Sequence, residues 1–210
     1  FYHLNYMEFK GDEARNSFKA LKFAREGDLP LSSGISSTGI HEPPVFIYLL
    51  TLPYLFSSNP VFATGFIALL NVLGIVLCYY FMKKFYSIKA ALIAIALYAV
   101  NPWQILYSRK IWTQNLVAPF ILLFLWFFFQ AVYNKKKNHI VYALVTLGII
   151  VQLHLAAAYF IIPVAVIIAL NRKILSKKMI LTGLILFMAT FIPYLIFQFQ
   201  NNFIDLHTLI

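Results

Sequence analysis

Val61–Met82, VFATGFIALLNVLGIVLCYYFM, runs directly into Lys83-Lys84-Phe85-Tyr86-Ser87-Ile88-Lys89, and this junction decides the fold class. An uncharged apolar run of that length is enough to cross a bilayer core as a helix. A Lys cluster placed just after it marks a cytoplasmic end. The same alternation recurs along the chain, with Lys135, Lys136 and Lys137 after one apolar run and Arg172, Lys173, Lys177 and Lys178 after another. Acidic residues follow the opposite rule. Glu8, Asp12, Glu13, Glu26, Asp28 and Glu42 precede the apolar region, Asp205 follows it, and residues 45–204 contain neither Asp nor Glu. Carboxylates therefore collect on the face opposite the Lys clusters.

Composition supports this reading. The chain is 61% hydrophobic with a mean hydropathy of +0.78. A soluble domain of 210 residues cannot hide that much apolar surface. Lipid tolerates only backbones whose hydrogen bonds close internally, so an all-α polytopic integral membrane protein is expected. The net charge of +10 does not indicate nucleic acid, because membrane-length apolar runs separate the positive clusters. Those clusters act as topology determinants facing anionic headgroups. Cys78 is the single cysteine, so no intrachain disulfide forms. The chain opens on Phe1 without a leader pattern and stops after Ile210, which reads as a fragment of a longer protein.

Residues 1–44 read as the first extracytoplasmic loop. Within it, residues 11–27 pattern as an amphipathic helix, with Ala14, Phe18, Leu21 and Ala24 on one face and Arg15, Lys19 and Lys22 as a basic stripe on another. Such a helix lies in the interface plane with its cations toward lipid phosphates. Residues 45–57 are apolar but too short for a full crossing, so they read as a re-entrant or interfacial helix. Residues 61–199 form a bundle of about six spans, including single crossings over Ile88–Leu106 and Ile180–Phe199. Residues 140–170 are two short helices meeting near Gln152 and His154, the rival being one long helix. Residues 200–210 start another outer loop.

This topology gathers Asp12, Glu13, His41, Glu42, Arg109, Lys110, Trp112, Asn115 and His154 on one face, beside Gln114, Gln152, Asp205 and His207. Carboxylates can serve as general bases, and cations can hold a phosphate as it leaves. Each residue also has a structural alternative. Asp12 is a favoured residue type for an N-cap, Glu13 complements a helix dipole, Arg109 and Lys110 can snorkel, and His154 can bond a neighbouring helix. No cofactor is demanded. His41 beside Glu42 is the one pair that could support a divalent metal ion, without an HExxH motif or a Cys pair behind it.

Several segments in order, Gly11-Asp12-Glu13-Ala14-Arg15, then Ser36 to Leu50 with His41-Glu42-Pro43-Pro44, then Ala99-Val100-Asn101-Pro102-Trp103 and Tyr107-Ser108-Arg109-Lys110-Ile111-Trp112, carry a resemblance. The chain resembles GT-C glycosyltransferases of the dolichyl-phosphate-mannose protein mannosyltransferase type, glycosyltransferase family 39. Bacterial lipid A aminoarabinose transferases and lipopolysaccharide-core galacturonosyltransferases are relatives in that family. The resemblance implies inverting transfer of a sugar from a polyprenyl-phosphate donor to a glycan, lipid A or protein acceptor. It implies an inner (plasma) membrane enzyme with its site on the extracytoplasmic face. By the same resemblance Asp12 is the catalytic base and Glu13 its neighbour in the motif. Glu42 stands where relatives carry Lys, and Asn115 where many carry an acid, so Arg109 or Lys110 supplies the phosphate-binding charge. Two other functions fit the same residues: a transporter or flippase for a lipid-linked substrate, and a non-catalytic membrane scaffold.

Overall fold

A computed structural model describes residues 6–36 and 39–209; Phe1 to Asn5 and, in the Ser/Gly-rich loop, Ser37 and Thr38 lie outside the described residues. The protein is an all-α membrane protein. Its helices are α1 (Gly11–Glu26), α2 (Val45–Tyr54), α3 (Pro60–Phe85), α4 (Ile88–Val100), α5 (Pro102–Tyr107), α6 (Val117–Val132), α7 (His139–Leu153), α8 (Ile161–Leu170), α9 (Lys177–Ala189), α10 (Ile192–Gln200) and α11 (Ile204–Leu209). Short 3₁₀ turns at Thr113–Leu116 and Leu155–Phe160 lead into α6 and α8. Among the described residues the only β pairing is one antiparallel bridge between Ile35 and His41.

Local chemistry sets many of these boundaries. Asn59 accepts from the Val61 N–H at 2.9 Å, and Pro60 opens α3 where its missing N–H costs nothing. Ser87 accepts from the Ala90 N–H and starts α4. Gly27 closes α1 at φ +73°, a left-handed conformation that favours glycine. Two expected single crossings are broken instead. Ile88–Leu106 divides at Asn101, because the residue before Pro102 is driven to an extended backbone; its side chain then caps α5. Ile180–Phe199 divides into α9 and α10, bent by 44°. Pro193 lacks the N–H that would bond back toward Ala189. The backbone carbonyl of Thr190, released at this bend, accepts from the Gln152 amide of α7 at 3.0 Å.

Among the described residues two helical segments are long and apolar enough to cross a membrane, Pro60–Phe85 and Thr113–Val132, or three if the bent α9–α10 pair is one span. At about 1.5 Å per residue α3 is about 39 Å long. The remaining apolar helices, α2, α4, α7 and Leu155–Leu170, are shorter. The expectation of about six crossings therefore needs these short helices to pair or to tilt less than α3.

Buried side chains form two clusters. One joins α6, α7 and α9 through Phe124, Phe128, Ile140, Leu144 and Leu147. The other wraps α2, with Phe46, Ile47, Leu50 and Tyr54 packed among Ala20 of α1, Ile67 of α3, Ile111 and Leu153. Close helix approach depends on glycine at the α7–α9 seam. A Cβ on Gly183 would lie 2.7 Å from a Leu144 methyl and 3.3 Å from the Val141 Cα. Gly183→Val should therefore cost about 1–3 kcal/mol by overpacking and lower the melting temperature in detergent. Gly11→Ala, whose Cβ meets open space, should stay within about 0.5 kcal/mol of wild type.

Candidate active site

The first turn of α1 separates two carboxylates that adjoin in sequence. Lys10 is the N-cap residue, and Glu13, not Asp12, supplies the cap: its Oε2 accepts from the Lys10 N–H at 3.0 Å. Glu13 is 2% exposed and its Oε1 lies 3.2 Å from Lys110 Nζ. Lys110 also bonds Glu8 Oε2 at 2.8 Å. Hydrogen bonds from Lys10 and Lys110 hold the Glu8 carboxyl down at about 2. The hydrogen bond with Glu8 raises the Lys110 ammonium, more than its partial burial lowers it. Glu8, Glu13 and Lys110 thus form an ion network that ties α1 to the segment after α5. Asn115 belongs to the same scaffold: it is buried, and its amide donates to the Lys110 carbonyl at 2.7 Å.

Asp12 points the other way. It is exposed, and its Oδ1 accepts from the Arg15 guanidinium at 2.9 Å, one helical turn on. Together they line a cleft of about 360 Å³ that Asn16, Glu42, Trp112, Gln114, Gln152 and His154 complete. Arg15 Nε and Asn16 Oδ1 are buried without a protein hydrogen-bond partner. Unpaired buried polar atoms are costly and call for a partner. A Cβ on Gly34 would come within 2.6 Å of the Arg15 guanidinium, so the loop backbone shelves that side chain.

The basic stripe of α1 has partners within the protein. Arg15 enters the cleft, Lys19 Nζ donates to the Ser32 carbonyl at 3.0 Å, and Lys22 pairs with Asp28. Burial lowers the Lys19 ammonium. Phe18, expected on an apolar face, is 67% exposed, whereas Glu13, Asn16, Ser17 and Ala20 are buried.

The loop from Ser33 to Glu42 makes one wall. Ser33 and Gly34 exchange backbone hydrogen bonds with Glu42, and Gly39 turns the chain at φ +81°. Glu42 reaches the cleft while its Oε2 accepts from Ser33 Oγ at 3.4 Å. Burial raises its carboxyl, offset in part by Ser33 and Arg15. His41, next to it, faces α10 and α11. Its backbone N–H bonds Asp205 Oδ1 at 2.9 Å and its ring Nδ1 lies 2.7 Å from the same oxygen. Tyr194 and Gln198 donate to Asp205 Oδ2. Burial pushes the Asp205 carboxyl up, but these donors outweigh it and hold it below the usual range. Among the described residues no three His, Cys, Asp or Glu side chains are placed to share a metal ion.

Of the residues singled out in the sequence, Asp12, Glu42, Trp112, Gln114, Gln152 and His154 share the cleft. His154 sits at the rim, where α7 ends in an extended residue. Trp112 lines the cleft with Lys110 Nζ 5.0 Å from its ring centroid. Glu13, Lys110 and Asn115 build the support behind it, His41 joins Asp205, and Arg109 lines both a separate cavity between α3, α4 and α5 and a smaller one shared with Glu8 and Lys110. Arg15 is the cleft residue that sequence reasoning placed wrongly. Its spacing of three from Asp12 was the available signal, since such residues share a helix face.

The profile of the dolichyl-phosphate-mannose-protein mannosyltransferase family matches residues 41–197, a span holding Glu42, Arg109, Trp112 and His154 and most of the bundle. The chain belongs to this family. It is a membrane glycosyltransferase of the GT-C type, and the family works on a lipid-linked sugar donor and an acceptor. Asp12, Glu13 and Arg15 precede the matched span. No curated protein and no solved structure matches the chain.

The geometry separates the two carboxylates of the Asp-Glu pair by experiment. Glu13→Ala removes both the helix cap and a Lys110 contact, and should destabilise the protein by about 1–2 kcal/mol. Asp12→Asn loses only an exposed i,i+3 pair and should change stability by less than about 0.5 kcal/mol. Denaturation of both variants in detergent measures the difference.

Proposed function

We infer that this protein transfers a sugar from a polyprenyl-phosphate donor to an acceptor hydroxyl or amine, with inversion, at the extracytoplasmic membrane face. The observation that carries this reading is the Asp12–Arg15 pair opening into the cleft, with Arg15 Nε and Asn16 Oδ1 lacking protein partners. Asp12 Oδ takes the proton from the acceptor O–H or N–H. The acceptor's lone pair forms the new bond to the anomeric carbon on the side opposite the phosphate. The bond from that carbon to the phosphate oxygen breaks, and its electron pair leaves with the phosphate. Arg15 faces the charge that develops there. A phosphate diester leaves as a stable monoester anion and needs no acid. Trp112 offers an aromatic face to the sugar, and His154 and Gln114 offer rim hydrogen bonds.

In this reading Glu13 and Lys110 are positioning residues that set α1 so that Asp12 faces the cleft. The polar groups cluster at one end of the helices rather than along a path through them, which favours an enzyme over a transporter. Transfer of labelled sugar from a polyprenyl-phosphate pool, in membranes carrying the full-length chain, is the direct test. Asp12→Asn should reduce transfer by about 10²–10⁴-fold, the usual contribution of a general base, with unchanged membrane content. Wild-type rates in that variant would remove Asp12 from the chemistry.

Glu42 gives this reading a pH signature. Its carboxyl is raised by burial, so it stays neutral to a higher pH than an ordinary glutamate. Once ionised it adds a negative charge beside the donor phosphate. The donor KM should therefore rise as pH climbs through the Glu42 titration. In Glu42→Gln that rise should disappear, while kcat at low pH is retained. A KM profile identical in the two proteins would show that Glu42 does not face the donor.

A further inference from the structure

The cavity between α3, α4 and α5 shares no lining residue with the Asp12 cleft. It has a volume of about 420 Å³. Five polar side chains reach it: Asn71 from α3, Tyr98 from α4, Gln104 from α5, and Ser108 and Arg109 just beyond. Its other walls are apolar, Val72 and Ile75 among them. Arg109 has no carboxylate partner among the described residues. Asn71 is 6% exposed; its amide N–H₂ donates to the Ile67 carbonyl at 3.0 Å, which leaves Oδ1 buried without a partner. The Tyr98 hydroxyl is likewise buried and unpaired.

These groups specify a ligand. A free guanidinium asks for an anion and matches phosphate geometry. Asn71 Oδ1 can only accept, so its partner must carry a donor. The Tyr98 hydroxyl can pair with a second polar atom of the same ligand. Beside the cavity, Leu97, Val100, Trp103 and Leu106 are each more than 60% exposed, an apolar flank suited to lipid. Trp103 and Tyr107 stack on each other at 5.6 Å, an aromatic pair of the kind that sits at a membrane interface.

We propose that this cavity binds the headgroup of an anionic bilayer phospholipid bearing free hydroxyls, of the phosphatidylglycerol type. The phosphate lies on Arg109, a headgroup hydroxyl donates to Asn71 Oδ1, and the acyl chains run along the exposed flank of α4. The sugar donor is the less suitable occupant, because transfer requires donor and base in one cavity and these two share no wall. The exclusion of the donor rests on the reading of Asp12 as the base, whereas the headgroup site itself needs only membrane embedding.

Native mass spectrometry of the full-length protein in detergent tests it, with phosphatidylglycerol, phosphatidic acid, phosphatidylcholine and polyprenyl phosphate as probes. Phosphatidylglycerol should bind at least about tenfold more tightly than phosphatidylcholine. Arg109→Gln should abolish that preference. Tyr98→Phe, which removes one oxygen and keeps the ring, and Asn71→Leu should each narrow the margin of phosphatidylglycerol over phosphatidic acid, which lacks the hydroxyls. Asp12→Asn should change none of these affinities. Equal binding of phosphatidylglycerol and phosphatidylcholine overturns the proposal, as does wild-type binding by Arg109→Gln. Displacement of phosphatidylglycerol by one equivalent of polyprenyl phosphate would also overturn it, in favour of a donor site.

Discussion

The ion network of Glu8, Glu13 and Lys110 is the constraint on which the α1 end of the molecule depends. Lys110 follows α5, and the two glutamates precede and open α1, so one ammonium joins segments about a hundred residues apart in sequence. Glu13 is nearly inaccessible, and a buried carboxylate survives only with partners. One oxygen accepts from the Lys10 N–H and the other lies 3.2 Å from the Lys110 ammonium as an ion pair. With Glu13 turned inward, helical geometry turns Asp12 roughly a hundred degrees away. The rotation of α1 and the exposure of Asp12 are thus one fact. Tyr48 of α2 supports the same arrangement, its hydroxyl donating to the Pro30 carbonyl at 2.7 Å.

The cleft is assembled from four separate stretches of the chain. α1 supplies Asp12 and Arg15, the strap from Ser33 to Glu42 supplies one wall, and the breaks before α6 and after α7 supply Trp112, Gln114, Gln152 and His154. Asp205 anchors the strap from the far end of the chain through both the backbone and the ring of His41. The anchor draws His41 out of the cleft and leaves Glu42 in it, because successive residues of an extended segment point to opposite sides. A sequence pair that suggests shared ligation is divided in this way into a structural member and a cleft member.

The all-α membrane character was legible because it rests on composition, apolar runs and charge alternation, none of which needs tertiary information. The start of α3 was also legible, since the apolar run read from Val61 begins one residue after the helix does. The facing of α1 could not. Ala14, Phe18, Leu21 and Ala24 mark an apolar face by spacing, yet the protein buries Glu13, Asn16, Ser17 and Ala20. Periodicity identifies faces but not the partner each meets, and here a lysine and a loop backbone accept the polar one. The same gap hid Arg15, whose shelf is the backbone of Gly34, and misdirected Arg109, whose cavity depends on how α4 breaks before Pro102. That break was signalled by the proline itself, but the signal was outweighed by the apolar run continuing past it.

The helix breaks also bear on whether these polar groups serve chemistry or transport. Transporters use interrupted helices because the freed backbone groups can hold an ion or substrate at mid-membrane depth. Here several of the freed groups have partners within the protein. The Thr190 carbonyl at the α9–α10 bend accepts from Gln152, and Asn101 caps its own break through the Trp103 N–H. At the end of α7 the His154 N–H bonds Ile150 and its carbonyl accepts from Ala157. These breaks turn the chain so that side chains converge at one end. Two atoms there, Arg15 Nε and Asn16 Oδ1, lack protein partners and lie in the cleft beside the exposed carboxylate of Asp12, the arrangement on which our proposal of group transfer rests.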